Sequence, residues 1–405
     1  MSVLNGKKVL LGITAGIAAY KTAHLVRYFI KSGAEVKVVM TEAAKDFITP
    51  LTLSTLSKNE VISSFFDDEN QNAVWNNHVD LGLWADLFVI APATANTLSK
   101  MAIGASDNIL LATYLSAKCP VYFAPAMDLD MYKHPSTKNS FDTLISYGNK
   151  MIPAGTGELA SGLHGEGRMA EPEDIVKFIE NDILSQLPLN GKTVLITAGP
   201  TYEAIDPVRF IGNHSSGKMG YELAKAAATL GARVHLVSGP TYLNLENSNI
   251  TIHRVVNAKS MYDVVHSLYN EVHVGIFAAA VADYRPSHVS DSKIKKKDAT
   301  LQIELEKTKD ILASCGEIKE HQLLIGFALE TNNELENAAI KLKKKNLDAI
   351  ILNSLNDKGA AFGGNTNKIS ILFKDKVRKE FPLKNKSEVA RDILSEIVNL
   401  IYEEA

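Results

Sequence analysis

Residues 191–240, GKTVLITAGPTYEAIDPVRFIGNHSSGKMGYELAKAAATLGARVHLVSGP, constrain this chain more than any other stretch. They hold an apolar, β-branched run (Val194 to Thr197), a long polar loop, a stretch of helical composition and a second apolar run from Val234 to Val237. That order opens a βαβ unit of the doubly wound kind. Crossovers into helices usually take about 2–6 residues, so this loop does more than connect. A long loop at the carboxyl end of a strand is where an open α/β sheet holds its ligand.

The loop nearly spells a P-loop. Gly212 is followed by four residues and then Gly217-Lys218, but Met219 stands where Ser or Thr would hold Mg²⁺. The preceding strand also ends well before Gly212. The physics survives without the motif: Ser215, Ser216 and Gly217 can offer hydroxyls and N–H groups to an anion at a helix N-terminus.

A chain of 405 residues, 46% of them apolar, is long enough for two cores. A net charge of −3 with no basic patch argues against nucleic-acid or membrane partners. Cys119 and Cys315 are far apart, which fits a reducing compartment, and no run approaches the length of a membrane span. The expected location is the cytoplasm.

Two halves open alike: LNGKKVLLGITAG from Leu4 and LNGKTVLITAG from Leu189. Between them a helical pattern over 173–187 ends at Pro188 and Asn190-Gly191. The expected domains are 1–188 and 189–405. Strands are expected at 9–13, 36–40, 87–91 and 121–124, then near 275–280, 323–328, 349–352 and 369–373. Strands alternating with helices make both halves α/β and doubly wound, the first flavodoxin-like or Rossmann-like and the second Rossmann-like.

In the first half, Gly16 and Ile17 end a strand and open a helix, so their N–H groups point above the sheet. Thr41 follows the second strand where a dinucleotide site would carry an acid, and Thr94 and Asn96 follow the third. Small uncharged donors at three strand ends suit a mononucleotide phosphate and a flat ring.

The segments TAGIAAYK, MTEAAKDFI, NNHVDLGLWAD, APATANTLSKMA, PAMDLDMY and GEGRM resemble flavin-dependent decarboxylases that act on phosphopantothenoylcysteine. AGPTYEAIDPVRFIGNHSSGKMG, AAVADYRP, KIKK, GFALET and KKKNLDAI resemble phosphopantothenate–cysteine ligase. In order and over nearly the whole chain, the sequence is similar to the bifunctional fusion of these two enzymes of coenzyme A synthesis.

For the second half the resemblance implies activation of 4′-phosphopantothenate by CTP with Mg²⁺, and attack of cysteine on an acyl-cytidylate. It assigns Lys293, Lys341 and Lys345 to the triphosphate, Asp283 to the nucleotide or its Mg²⁺, and Asn213 to the acyl-cytidylate. The backbone of Phe277, Ala278 and Ala279 would line the base, with Phe327 beside it. Lys309, Asp310, Ile311 and Leu312 fall in the segment that contacts cytosine, although Thr308-Lys309 stands where relatives usually show Asn-Pro. Residues 284–309 are expected to form a flap over the nucleotide.

For the first half the resemblance implies FMN, which oxidises the substrate carbon beside sulfur so that CO₂ can leave, with His78 as base. Two positions depart from the family pattern. Asp128 replaces an Asn that would donate to the substrate carboxylate, and Ser161 in Ala160-Ser161-Gly162 replaces a Cys proton donor. A hydroxyl is far less acidic than a thiol of pKa about 8.5. Ser161 or a neutral Asp128 is therefore expected to complete turnover. The departures also motivate an alternative in which the first half is an inactive FMN-binding scaffold. The resemblance further implies a homo-oligomer, decarboxylase trimers joined by ligase dimers.

Overall fold

The computed structural model describes residues 2–66, 76–295, 300–330, 333–354, 364–375 and 377–403. The chain divides into two compact units, Met1–Ser185 and Gln186–Ala405.

The first unit is built on six parallel strands, β1 (Lys8–Ile13), β2 (Glu35–Met40), β3 (Val61–Ile62), β4 (Leu87–Ala93), β5 (Val121–Pro125) and β6 (Lys150–Met151). Their order is β3-β2-β1-β4-β5-β6. This is the Rossmann order, with the switch point between β1 and β4. Alternation along β1 explains the two-faced core. Val9, Leu11 and Ile13 pack on one side and Leu10 on the other, all fully buried. Burying each such side chain contributes about 1.5–3 kcal/mol. A short antiparallel hairpin, β7 (Gly155–Glu158) and β8 (His164–Arg168), follows the sheet. The helix expected over 173–187 spans Pro172–Ser185.

The second unit repeats the plan with β9 (Thr193–Ala198), β12 (Arg233–Ser238), β13 (Ile250–Arg254), β14 (Val274–Phe277), β17 (Leu323–Glu330) and β18 (Ala349–Ser354) in the order β13-β12-β9-β14-β17-β18. Two antiparallel strands, β19 (Thr366–Phe373) and β20 (Arg378–Asn385), extend it. The long loop after β9 folds into a hairpin, β10 (Tyr202–Ala204) and β11 (Phe210–Gly212), with Tyr202 stacked on Phe210 at 3.8 Å between ring centroids. Gly217, at φ +78°, then opens the helix Lys218–Thr229.

The expected flap is more ordered at its base than a loop. Its ends pair as β15 (Tyr284–Pro286) and β16 (Leu305–Lys307), because Tyr284 to Pro286 faces Leu305 to Lys307 in antiparallel register. Positions 296–299 lie outside the described residues. At the amino edge of each sheet an Asn-Gly turn precedes the first strand, with Gly6 and Gly191 at φ +76° and +73°. No helix among the described residues is long and apolar enough to cross a membrane.

Candidate active sites

In the first unit a cavity of about 850 Å³ opens above the carboxyl ends of β1, β2, β4 and β5. Gly16, Ile17, Thr41, Thr94 and Asn96, expected from sequence to bind a cofactor, all line it. The Thr14 hydroxyl donates to the Pro92 carbonyl at 2.7 Å and accepts the Thr94 N–H at 3.2 Å, tying β1 to β4 across the switch point. The Thr41 hydroxyl is buried and has no partner. An orphaned hydroxyl in such a cavity is costly unless a ligand satisfies it, so the residues present fit a phosphate-bearing flavin.

Asp128 and Ser161 also line the cavity. Asp128 caps the short helix Leu129–Lys133, its Oδ1 accepting the Leu129 N–H at 2.7 Å. The same oxygen accepts the Ser161 hydroxyl at 2.8 Å. Ser161 sits at the tip of the β7–β8 hairpin, in a turn closed by the Gly162 N–H to the Leu159 carbonyl, with Gly162 at φ +84°. Backbone contact holds the hairpin there: Met127 N–H donates to the Gly167 carbonyl at 3.0 Å. Gly167 stands at φ +130°, and a Cβ on it would lie 2.4 Å from the Met127 carbonyl oxygen.

Sequence reasoning singled out neither Lys21 nor Arg168 as site residues, although both sit in quoted motifs and both line the cavity. Lys21 is buried, donates to the Met169 carbonyl at 3.0 Å and pairs with Glu171 at 2.8 Å. That hydrogen bond holds the Glu171 carboxyl below its usual range. His78 does not line this cavity. It begins the helix His78–Trp84, which Asn77 caps, and its ring meets Phe65 edge-on at 6.2 Å.

In the second unit a cavity of about 450 Å³ lies at the carboxyl ends of β9, β14 and β17. Phe277, Ala279, Asp283, Phe327, Lys341 and Lys345 line it, as does the whole run from Lys309 to Leu312. Ala278 and Lys293 do not. Ala278 instead donates its N–H to Thr197 O at 3.2 Å, and Lys293 is exposed on the segment between β15 and β16. That segment is anchored next door. The buried Asp206 carboxylate accepts the Ile294 N–H at 3.1 Å and the Arg209 guanidinium, which holds it well below the usual carboxylate range.

Asn213 does not cap the following helix; its amide donates to the Ala280 carbonyl at 2.9 Å. Lys345 pairs with Asp310 at 2.7 Å. Burial works to raise the Asp310 carboxyl, but the Lys345 hydrogen bond and the Ala313 N–H outweigh it and leave it lowered. Lys341 donates to the Phe327 carbonyl at 3.1 Å, and Lys309 lies over the Tyr262 ring at 4.6 Å. Lysines and apolar side chains thus line one cavity, which suits a nucleotide. Among the described residues no group of three or more His, Cys, Asp or Glu gathers to hold a metal.

Comparison with known proteins agrees with this division. Residues 2–184 match the family model described as flavoprotein, and residues 189–401 match the DNA/pantothenate metabolism flavoprotein C-terminal domain. A coenzyme A biosynthesis bifunctional protein CoaBC of Bacillus subtilis (strain 168) is 45% identical, covering 98% of each chain. A cysteine/cysteine sulfinic acid decarboxylase from an unknown prokaryotic organism is 53% identical, covering 88% of this chain and 100% of that one. A solved C-terminal domain of a CoaBC protein is 46% identical, covering 54% of this chain and 100% of that domain with a TM-score of 0.47.

Proposed function

The chain belongs to the family of coenzyme A biosynthesis bifunctional proteins, and from that premise we propose how its two crevices divide the work. It is a bifunctional enzyme, a phosphopantothenate–cysteine ligase and a phosphopantothenoylcysteine decarboxylase in one chain, and its first half is a flavoprotein. The observation that carries the finer reading is the cavity of the first unit, which an orphaned Thr41 hydroxyl and the Asp128–Ser161 pair both line.

In this reading Gly16, Ile17, Thr41, Thr94 and Asn96 hold FMN. Bound there, the flavin would take two electrons from the carbon beside sulfur so that the carboxylate can leave as CO₂, and would return them to the resulting enethiol. Ser161 holds a proton against Asp128 and delivers it, through water, to the product carbon. His78 acts as base. Its place outside its own chain's cavity, and the exposure of Ile17 and Tyr20 at the cavity rim, support action on a neighbouring copy within a homo-oligomer of decarboxylase trimers joined by ligase dimers.

The ligase half takes CTP and Mg²⁺. Lys341 and Lys345 meet the triphosphate, with Lys345 leaving Asp310 as it does so, and Lys293 arrives on the flap. Asp283 serves the Mg²⁺, the run from Lys309 to Leu312 reads the base with Phe277 and Phe327, and Asn213 orients the acyl-cytidylate. The cytoplasm is the expected compartment, supported by the two free cysteines. Mass spectrometry of products from 4′-phosphopantothenate, cysteine and Mg-CTP tests the whole. Appearance of 4′-phosphopantetheine supports both halves, and arrest at phosphopantothenoylcysteine removes the decarboxylase reading.

Asp128 favours one second reading. An ionised carboxylate repels a substrate carboxylate but pairs with an α-ammonium, which free cysteine has and acylated cysteine lacks. The relative named as a cysteine decarboxylase gives reason to test this substrate here. Release of cysteamine from cysteine, lost in Asp128→Asn, supports it; no cysteamine from the wild type rejects it.

A further inference from the structure

The GNHSSGKM stretch is not exhausted by the nucleotide crevice, since Ser215, Ser216 and Lys218 do not line it. Lys218 is the first residue of the helix Lys218–Thr229, and its ammonium donates to Asn365 Oδ1 at 2.5 Å. The backbone carbonyl of the same Asn365 accepts the N–H of Lys386 at 2.9 Å. Lys386 is the first residue of the last helix, Lys386–Glu403, which packs along Lys218–Thr229. Asn385 closes β20, which is antiparallel to β19 and so parallel to β18. Both helices therefore begin at the carboxyl edge of the sheet, where ligands bind.

Lys386 occupies a position that calls for an apolar side chain. With Val389, Ala390, Ile393 and Ile397 it forms the inward stripe of its helix, and it is only 8% exposed. Buried Lys21 has an acid, Glu171, and the partly buried Lys319 has Asp348. Lys386 has no acid partner among the described residues. Glu388, the carboxylate at this helix start, is exposed and accepts the Asn385 N–H at 3.1 Å. Burial first, and Lys218 second, lower the Lys386 ammonium. A cation at a helix N-terminus is opposed by the helix dipole as well. Three unfavourable effects meet in one place, and an anion relieves all of them.

We propose that Lys218 and Lys386, bracketed by Asn365 at two helix N-termini, form the site for the 4′-phosphate of the pantothenate substrate. This rests on the ligase reading. Two phosphate sources enter that reaction, the substrate's phosphomonoester and the triphosphate of CTP. The triphosphate has its own lysines, Lys341 and Lys345, in the other crevice. Lys218 and Lys386 stand outside the lining of that crevice.

Ligase kinetics on the full chain test the site with Lys218→Met and Lys386→Met. The expected result is a KM for 4′-phosphopantothenate raised at least tenfold in each, with kcat and the KM for CTP within twofold. An unchanged KM for 4′-phosphopantothenate overturns the proposal. A rise confined to CTP also overturns it and assigns the site to the nucleotide. Melting temperature in inorganic phosphate gives a second readout that needs no turnover: phosphate raises it in the wild type and not in Lys386→Met. Equal stabilisation of both overturns the site. A wild type that makes no phosphopantothenoylcysteine removes the ligase reading, and the phosphate titration still decides whether the anion site exists.

Discussion

The hydroxyl of Ser161 donates to Oδ1 of Asp128 at 2.8 Å, so the two positions at which the first half departs from the residues expected of its family are one hydrogen-bonded pair. The same oxygen accepts the Leu129 N–H at 2.7 Å, so within the pair the hydroxyl of Ser161 is the group that holds a proton to give.

Removing that donor has a direct consequence. Ser161→Ala should slow formation of 4′-phosphopantetheine by about 10²–10⁴, the usual weight of a positioned acid, while ligation continues at the wild-type rate. Full decarboxylation in both Ser161→Ala and Asp128→Asn would falsify the pair's role.

The hairpin depends on a close backbone approach. Gly167→Ala meets both a positive φ and the Met127 carbonyl at 2.4 Å, so the hairpin must lift away from Asp128. Decarboxylation should fall at least tenfold, with ligase turnover preserved as the internal control. Undiminished decarboxylation would mean that Ser161 need not be held where it stands.

If His78 serves a neighbouring copy, two inactive variants should rescue each other. His78→Asn and Ser161→Ala, each mixed with the other under conditions that exchange subunits, should recover about a quarter to a third of wild-type decarboxylation, since a mixed trimer holds one intact site in about three. Mixtures no more active than their components would confine His78 to its own chain.

The flap has a molecular tether. Asp206→Asn removes the charge that holds Arg209 and weakens the bond to Ile294, so trypsin should cut near Lys293 and Lys295 several-fold faster. Mg-CTP should slow cleavage in the wild type. Identical digestion rates in the variant would show that the tether does not restrain the segment.

Histidine burial sets an acid limit on the second unit. His235, His253, His266 and His273 are all lowered, chiefly by desolvation. Each binds its proton more readily when unfolded, so the unfolded chain gains protons first as pH falls through about 6.5. Stability should therefore be complete above neutral pH and decline from about pH 7 toward 5. Chemical denaturation at pH 7.5 and 5.5 checks the sign, and a higher midpoint at the lower pH would reverse it.

Much of this was legible because strands covered on both faces are continuous apolar runs. The runs at Val9, Leu87, Val194 and Leu323 declare themselves without context, and the strand ends then deliver Gly16, Thr41, Thr94 and Phe277 to their cavities. What stayed hidden depends on distant partners. The strand Lys150–Met151 has two residues, too few for any period, and forms only because Phe123 offers a free edge. Gly155 to Glu158 and His164 to Arg168 are poor in β-branched residues, and the close packing of Gly167 on Met127 takes the place of propensity. The burial of Lys386 was equally invisible, since a lysine at a helix start reads as solvated.

The Asn-Gly turns before the first strand of each unit have a practical meaning. A Cβ built on Gly6 or Gly191 would meet no heavy atom within 4 Å, and both residues are exposed at the edge opposite the crevices. Fluorophores or affinity handles inserted there would report on each unit without entering its chemistry. The amino edges are thus ready attachment points, one for each half of the assembly line.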